Sequence, residues 1–481
     1  MSDVPGPPPA APLSAAMTAH ELSAATSGTL LRSGRRPIHG AAVDSRRIEP
    51  HNAFFALPGD RTDGHRFLGA AVSAGAAALV VSEPPPAALL DSLDEVTVVR
   101  VAAGLPALRA AAAAWRARFS PLVIGVTGSY AKTSAKEAIA TVVGADRNTL
   151  KSPGNENNEI GVPLTLLRLG PEHAGVVLEM GMYVSGDIAA LAELARPRIG
   201  VVTAISGVHL ERAGTLDAIE LEKGRLVEAL PADGCAVLNA DDARVRSLAE
   251  RSSAPTTTYG FAEDADVRAE DVVSLGAVGM RFVLRSGGVR TPVSTPVLGR
   301  IGVHNALAGA AVGAAIGMSP AAIAAALGLG FSAPHRTTLL TAGPWTVLDD
   351  SYNASPDAMV AALELLATLP GRHVAVLGEM LELGPLSAAA HAEVGVAAAR
   401  VVDVLVTVGE GGHAMADAAR TAGLPGMALA EADDADAALV ALLPTLVPGD
   451  AILVKGSRGV GLDRLVDRLV GLAETGSEAT A

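Results

Sequence analysis

The sequence predicts an α/β protein of three domains built on parallel, doubly wound sheets, with a candidate phosphate loop opening the middle one. Three observations predict it. Short apolar, β-branched runs alternate with helix-like stretches along the chain. One of them, LVIGVTGSYAKTSAKEAI over Leu122–Ile139, reads as a buried strand, a small-residue turn and a helix start. At 481 residues the chain is also too long for a single core.

Composition sets the outer limits. Hydrophobic residues make up 49% and charged residues 18%, so the chain is globular rather than disordered. Aromatics are only 3%, which leaves Ala, Val and Leu to fill the cores. A net charge of −14 argues against nucleic acid as a partner. The single cysteine, Cys235, excludes an internal disulfide and a four-cysteine zinc site, and it fits a reducing cytoplasm. The opening MSDVPGPPPAAP has no signal-peptide layout, and residues 1–17 are expected to form a disordered Pro/Ala-rich tail. The small-residue run Ala306–Met318 is too short to span a bilayer, so no stable membrane association is expected.

Residues 18–117 form the first expected domain. Asp44, Ser45 and Arg46 follow an apolar run, and Asp60 to His65 lie in a polar turn. On spacing alone, two solvated loops of a small α/β domain are the favoured reading of these residues, with ligand contact the alternative.

Residues 118–332 form the second, opening on the strand–turn–helix described above. Such a junction makes an anion site, because unpaired backbone N–H groups and the helix dipole converge there. Lys132 would reach terminal phosphates and Thr133 would ligate Mg²⁺. Val126 and Ala131 occupy both glycine positions of the generic phosphate loop, so an ordinary strand–helix junction with an exposed lysine remains an alternative. Further strands end in Glu179 and ahead of His209. Lys132, Glu179 and His209 follow separate strands, and ligands gather at the carboxyl ends of strands in such sheets. A carboxylate and an imidazole suit a metal-assisted phosphate site. A solvated acid and a capped loop histidine are the plainer readings. Lys223, among Glu220, Glu222 and Glu228, reads on its own as part of a charged helix face. AVLNADD and His304-Asn305 could be helix caps and close packing.

Residues 333–481 form the third, a Rossmann-like α/β domain. Ser355 and Pro356 read as the N-cap and first residue of a helix. Asp349, Asp350, Tyr352 and Asn353 have no such explanation. Lys455 and Arg458 sit on a strand-end loop, exposed or meeting a phosphate or carboxylate.

Taken together, DSR with FFALPGDRTDGH, TGSYAKTSAKE, GNENNEIGVPLTLL, LEMG, VHLERAGT with EKG, VLNADD, HN, DDSYNASPDAM, VLGEMLELG and LVKGSRG resemble the Mur ligases of peptidoglycan synthesis. Their order covers nearly the whole chain after the tail. The resemblance implies an ATP- and Mg²⁺-dependent amide ligase whose partners are a UDP-N-acetylmuramoyl peptide and D-alanyl-D-alanine, acting as a monomer. It makes the first domain a uridine-nucleotide-binding one. It also implies that Thr127, Gly128, Ser129, Tyr130, Ala131, Lys132, Thr133 and Ser134 cradle the nucleotide phosphates. Thr133, Glu179, His209 and Lys223 would hold metal, the last as a carbamate, with Lys132, His209 and Lys223 in catalysis. Asn305 would contact adenine, and Arg336 and Asp350 the phosphate and ribose. Ser45, Arg46, Asn157, Asn158, Asn353, Lys455 and Arg458 would contact substrate. The chain departs from the family at Ala131, normally glycine, and at Glu379, more often aspartate. A sister ligase adding a diamino acid, and a non-catalytic nucleotide-binding relative, are the alternatives; DDSYNASP and LGEMLELG favour the D-alanyl-D-alanine branch.

Overall fold

The computed structural model describes residues 15–59, 62–207 and 214–478. His209 lies outside the described residues, as do Asp60 and residues 1–14 of the expected tail. Met17 does not belong to a tail. It is 6% exposed, and its N–H donates to Ile38 O at 2.7 Å while Ile38 N–H returns a bond at 3.0 Å. Burial of its thioether on the first domain's core outweighs the local composition.

The expected mixed α/β architecture is present as three sheets. The first contains β1 (Thr29–Arg32), β2 (Ala41–Ala42), β3 (Ala53–Phe55), β4 (Ala78–Val81) and β5 (Thr97–Arg100), in the order β1-β5-β4-β3-β2. Phe54, Leu79 and Val98 are fully buried beneath it. Helix Gly104–Arg116 follows, and the indole N–H of its buried Trp115 donates to Leu169 O at 3.0 Å.

The central sheet has nine strands: β6 (Leu122–Thr127), β7 (Thr149–Lys151), β8 (Gly175–Glu179), β9 (Ile199–Val202), β10 (Cys235–Asn239), β11 (Thr256–Gly260), β12 (Val267–Ser274), β13 (Met280–Ser286) and β14 (Val289–Thr295). Its order is β14-β13-β12-β11-β10-β9-β6-β8-β7. Strands β6 and β9 to β12 run parallel and are buried where helices cover both faces. The pairs β12–β13 and β13–β14 are antiparallel, a departure from the wholly parallel sheet that was expected. Gly287 and Gly288, at φ +57° and +78°, close the β13–β14 hairpin with the two positive dihedrals that such a tight turn demands.

The third sheet orders β15 (Thr338–Ala342), β16 (Trp345–Asp349), β17 (His373–Gly378), β18 (Val404–Val408), β19 (Leu429–Ala432) and β20 (Ala451–Lys455) as β15-β16-β20-β17-β18-β19. Only β15 is antiparallel, and Trp345 opens β16 beside Ala342. By packing, the chain divides into two compact units. One holds residues 1–122, 156–176 and 193–195; the other holds the remainder, including both larger sheets nearly whole. No described helix is long and apolar enough to cross a membrane.

Candidate active site

The phosphate loop leaves β6 at Thr127 and enters helix Lys132–Gly144. Gly128, at φ +154°, has no room for a side chain: a Cβ there would lie 1.9 Å from Thr203 Oγ1. Ala131 is the N-cap at φ +62°, in the left-handed region, and no side chain caps this helix. Its first-turn amides therefore remain available to an anion. The loop takes the shape a glycine would favour, with alanine bearing the strain. Ala131→Gly is expected to stabilise the protein by about 0.5–1 kcal/mol net of the added freedom of the unfolded chain. A denaturant midpoint that does not rise would show that the loop relaxes around alanine.

Lys132 folds over this loop, donating from Nζ to Gly128 O at 2.7 Å and Ser129 O at 3.3 Å. Burial lowers its pKa, the Glu179 carboxylate opposes that, and the Arg336 charge adds to it. Lys223, on helix Leu216–Glu228, is 1% exposed. Its pKa falls well below the ordinary lysine value, first through burial and then through the charge of Lys132, against the pull of Glu222. Glu179 ends β8 with 1% exposure. Glu179, Lys223 and Arg336 thus each lie within electrostatic reach of Lys132 although the four residues come from separate segments of the chain.

The residues fit a magnesium–nucleotide group. The hydroxyl of Thr133 opens the helix with 4% exposure, and Glu179 supplies a hard oxygen. Thr127 Oγ1 is buried without a hydrogen bond to any described residue. No group of three or more His, Cys, Asp or Glu that could hold a metal occurs among the described residues, a set that excludes His209.

Other expected site residues take more structural parts. Ser129 Oγ donates to Ser206 O and accepts Ser206 N–H at 2.9 Å, tying the phosphate loop to the turn after β9. The Tyr130 hydroxyl is pushed up to about 12 by burial and by Asp357, Asp242 and Asp241, so it stays protonated. Ser134 is half-buried in the first turn of the phosphate-loop helix. Asn305 is buried in helix Gly299–Ala315, beside His304, whose ring meets Asn239 Oδ1 at 3.0 Å. Asp242 is an N-cap for helix Ala243–Ser247, as the plainer reading of that stretch had it.

Lys455 is the last residue of β20 rather than part of the loop that was expected; it is 2% exposed and paired with Asp350 at 2.5 Å, while it also donates to Asn353 O at 3.0 Å. Asp350 also accepts Thr337 N–H at 3.0 Å. Arg336 lies between two residues in the left-handed region, His335 and Thr337, and its guanidinium rests 4.2 Å over the Tyr352 ring. Arg458 flanks the same ring at 5.0 Å and donates to its hydroxyl. Ser355 does precede helix Pro356–Leu366, but its hydroxyl makes no capping bond, which corrects that expectation in part. Glu379 takes the N–H of Gly411 at 3.1 Å, a structural use that either acidic residue could serve.

Ser45, Arg46, Asn157 and Asn158 lie in the first unit. Arg46 closes on its neighbour Asp44 at 2.7 Å and, with its backbone N–H, holds that carboxyl down to about 2. Asn158 Oδ1 accepts the N–H of Gly161 at 2.9 Å at the start of helix Gly161–Leu167.

Sequence reasoning passed over Tyr352 as a platform for two guanidinium groups, and over Lys136 and Glu222. Glu222 is 3% exposed and accepts Gly186 N–H and Ile188 N–H at 2.9 Å, capping helix Asp187–Ala195 from the neighbouring helix. The signal for Lys136 was its place one turn beyond Lys132.

Three family models match this chain: "Mur ligase family, catalytic domain" over residues 37–116, "Mur ligase middle domain" over 126–313, and "Mur ligase, glutamate ligase domain" over 335–458. The chain belongs to the Mur ligase family. Among curated relatives, the UDP-N-acetylmuramoyl-tripeptide–D-alanyl-D-alanine ligase of Mycobacterium tuberculosis is 38% identical over 476 residues, covering 91% of this chain and 93% of that one. The enzyme of the same name from Bacillus subtilis is 35% identical, covering 90% and 93%. The crystal structure of MurF from Acinetobacter baumannii superposes with a TM-score of 0.83 at 30% identity, covering 95% of this chain and 99% of that one.

Proposed function

We propose that this chain is the ATP-dependent ligase that joins D-alanyl-D-alanine to UDP-N-acetylmuramoyl-tripeptide in peptidoglycan precursor synthesis. The observation that supports it most is the gathering of a half-buried lysine, a buried lysine, a buried carboxylate and an arginine around one phosphate loop. The names of the relatives, matched over about nine-tenths of the chain, supply the substrates.

A carboxylate is a poor acyl donor, and phosphorylation gives it a leaving group. The peptide carboxylate attacks the γ-phosphorus of ATP, forming an acyl phosphate and ADP. The amine of D-alanyl-D-alanine then attacks the acyl carbon, a proton leaves the nitrogen, and inorganic phosphate departs as the amide forms. The protein's part is positioning and charge compensation. Lys132 and Arg336 offset charge on the transferred phosphoryl group, and the first-turn amides orient the phosphates. The neutral amine of Lys223 is suited to take up CO₂ and lose a proton, becoming an anionic carbamate. Thr133, Glu179 and that carbamate, with His209, would hold Mg²⁺, which supplies Lewis-acid stabilisation of phosphate oxygens. Lys455 braces the loop holding Asp350 and Asn353. The adenine role of Asn305 rests on the family match alone.

The purified protein is expected to release phosphate only when ATP, Mg²⁺, the UDP-muramoyl tripeptide and D-alanyl-D-alanine are all present. Release with a diamino acid and the dipeptide precursor instead would assign the sister reaction. No release under either condition would leave a nucleotide-binding protein without ligase activity.

A further inference from the structure

A second lysine on the phosphate-loop helix has no part in the chemistry above. Lys136 is 0% exposed. Its ammonium has three N–H donors, and three acceptors lie in range: Ser152 O at 2.8 Å, Gly154 O at 2.8 Å and Glu137 Oε1 at 2.9 Å. Glu137 also holds Lys151, the last residue of β7. Ser152 is itself 0% exposed, and its N–H donates to Val177 O at 3.0 Å. Its hydroxyl Oγ accepts the backbone N–H of Glu179 at 3.2 Å.

A buried cation is costly unless each donor is matched, and an apolar side chain would fill the same volume without that cost. What Lys136 adds is direction. It fixes two carbonyls of the turn after β7, those on either side of Pro153, and Ser152 passes that position to the residue that ends β8. The phosphate-loop helix and Glu179 are thereby referenced to each other through one buried chain of bonds.

We propose that Lys136 is a positioning residue for the metal–nucleotide site: through Ser152 it sets the placement of Glu179 relative to the phosphate loop. The proposal rests on the ligase reading above. Groups that orient metal ligands from behind commonly change metal affinity by about 10–100-fold when removed.

The test uses Lys136→Met and Ser152→Ala, with Lys151→Met as a control that removes only the outer, half-exposed partner of Glu137. The first readout is Mn²⁺ affinity in the presence of ADP, followed by electron paramagnetic resonance. The second is the Mg²⁺ dependence of phosphate release. Lys136→Met and Ser152→Ala are each expected to weaken Mn²⁺ binding about 10-fold or more and to raise the Mg²⁺ concentration at half-maximal rate. Rates at saturating Mg²⁺ should stay within about 3-fold of wild type, because a positioning loss is recovered by mass action. Lys151→Met should bind Mn²⁺ as wild type does. The double variant should bind no more weakly than the weaker single one, since both act in one chain.

Wild-type Mn²⁺ affinity in Lys136→Met and Ser152→Ala, or an equal loss in Lys151→Met, would overturn the proposal while wild-type turnover keeps the ligase reading intact. If Lys136→Met does not fold, Ser152→Ala decides alone. A wild-type protein that neither binds Mn²⁺ with ADP nor releases phosphate overturns both.

Discussion

Lys223→Ala is expected to abolish ligation, with phosphate release falling roughly 1000-fold or more, a loss on the order of 4 kcal/mol of transition-state stabilisation. The lysine is almost fully buried, at 1% exposure, on helix Leu216–Glu228. Burial lowers its pKa most and the Lys132 charge lowers it further, so the neutral amine is the favoured form. As an unmodified amine it would be a poor metal ligand beside a cation. As a carbamate it becomes an anion facing Lys132, turning repulsion into attraction. Short carboxylic acids supplied to the alanine variant should restore part of the rate by filling the same place. An inert variant that neither they nor bicarbonate rescue would remove the carbamate role and leave only a packing role.

The same lysine opposes folding. Between its depressed folded pKa and the ordinary lysine value, the unfolded chain holds a proton that the folded chain does not. Stability therefore rises with pH across that window, and the penalty is complete below the folded pKa. Lys223→Met, which keeps the volume, should unfold at higher temperature than wild type at neutral pH in bicarbonate-free buffer, and its stability should depend less on pH. A dead variant that is also more stable is the pattern expected of a site held against the interest of the fold.

Lys132→Ala is the second large effect. The ammonium sits over the loop it spans, held by two of that loop's carbonyls and by attraction to Glu179. In the reaction its charge is needed on the transferred phosphoryl group, where it develops no counterpart in the bound ADP product. Turnover is expected to fall about 1000-fold, while ADP affinity changes by about 10-fold or less. Lys132→Arg should not restore the rate, because a planar fork does not replace a point charge in a site this confined. Equal losses in ADP affinity and turnover would show that Lys132 only binds nucleotide.

The parts of the site legible in the sequence were those in which one local pattern fixes one local geometry. The buried run Leu122–Thr127 followed by Lys132 and Thr133 announces a strand, a turn and a helix start. Glu179 follows because strand ends converge in a parallel sheet. What stayed hidden depends on pairings between distant segments. Lys136 reads locally as one more surface lysine, and nothing in its neighbours says that carbonyls 16 and 18 residues away will receive it. Glu222 looks like part of a charged face, yet it is buried as the cap of a helix that precedes it by some 30 positions. Tyr352 belongs to a polar turn until two arginines from separate segments come to rest on it. The antiparallel strands at one edge of the central sheet depart from the strand–helix alternation, and the Gly287-Gly288 pair that turns β13 into β14 is their one local signal.

The scarcity of aromatic side chains has a consequence for how the molecule can be watched. Of the two tryptophans, Trp115 lies in one compact unit and Trp345 in the other, against a background of four tyrosines. Each unit thus owns a single tryptophan, excitable at wavelengths where the tyrosines absorb little, and a phenylalanine at either position would leave the other reporting alone. Melting of the two units can be followed as separate optical signals in an otherwise unlabelled chain.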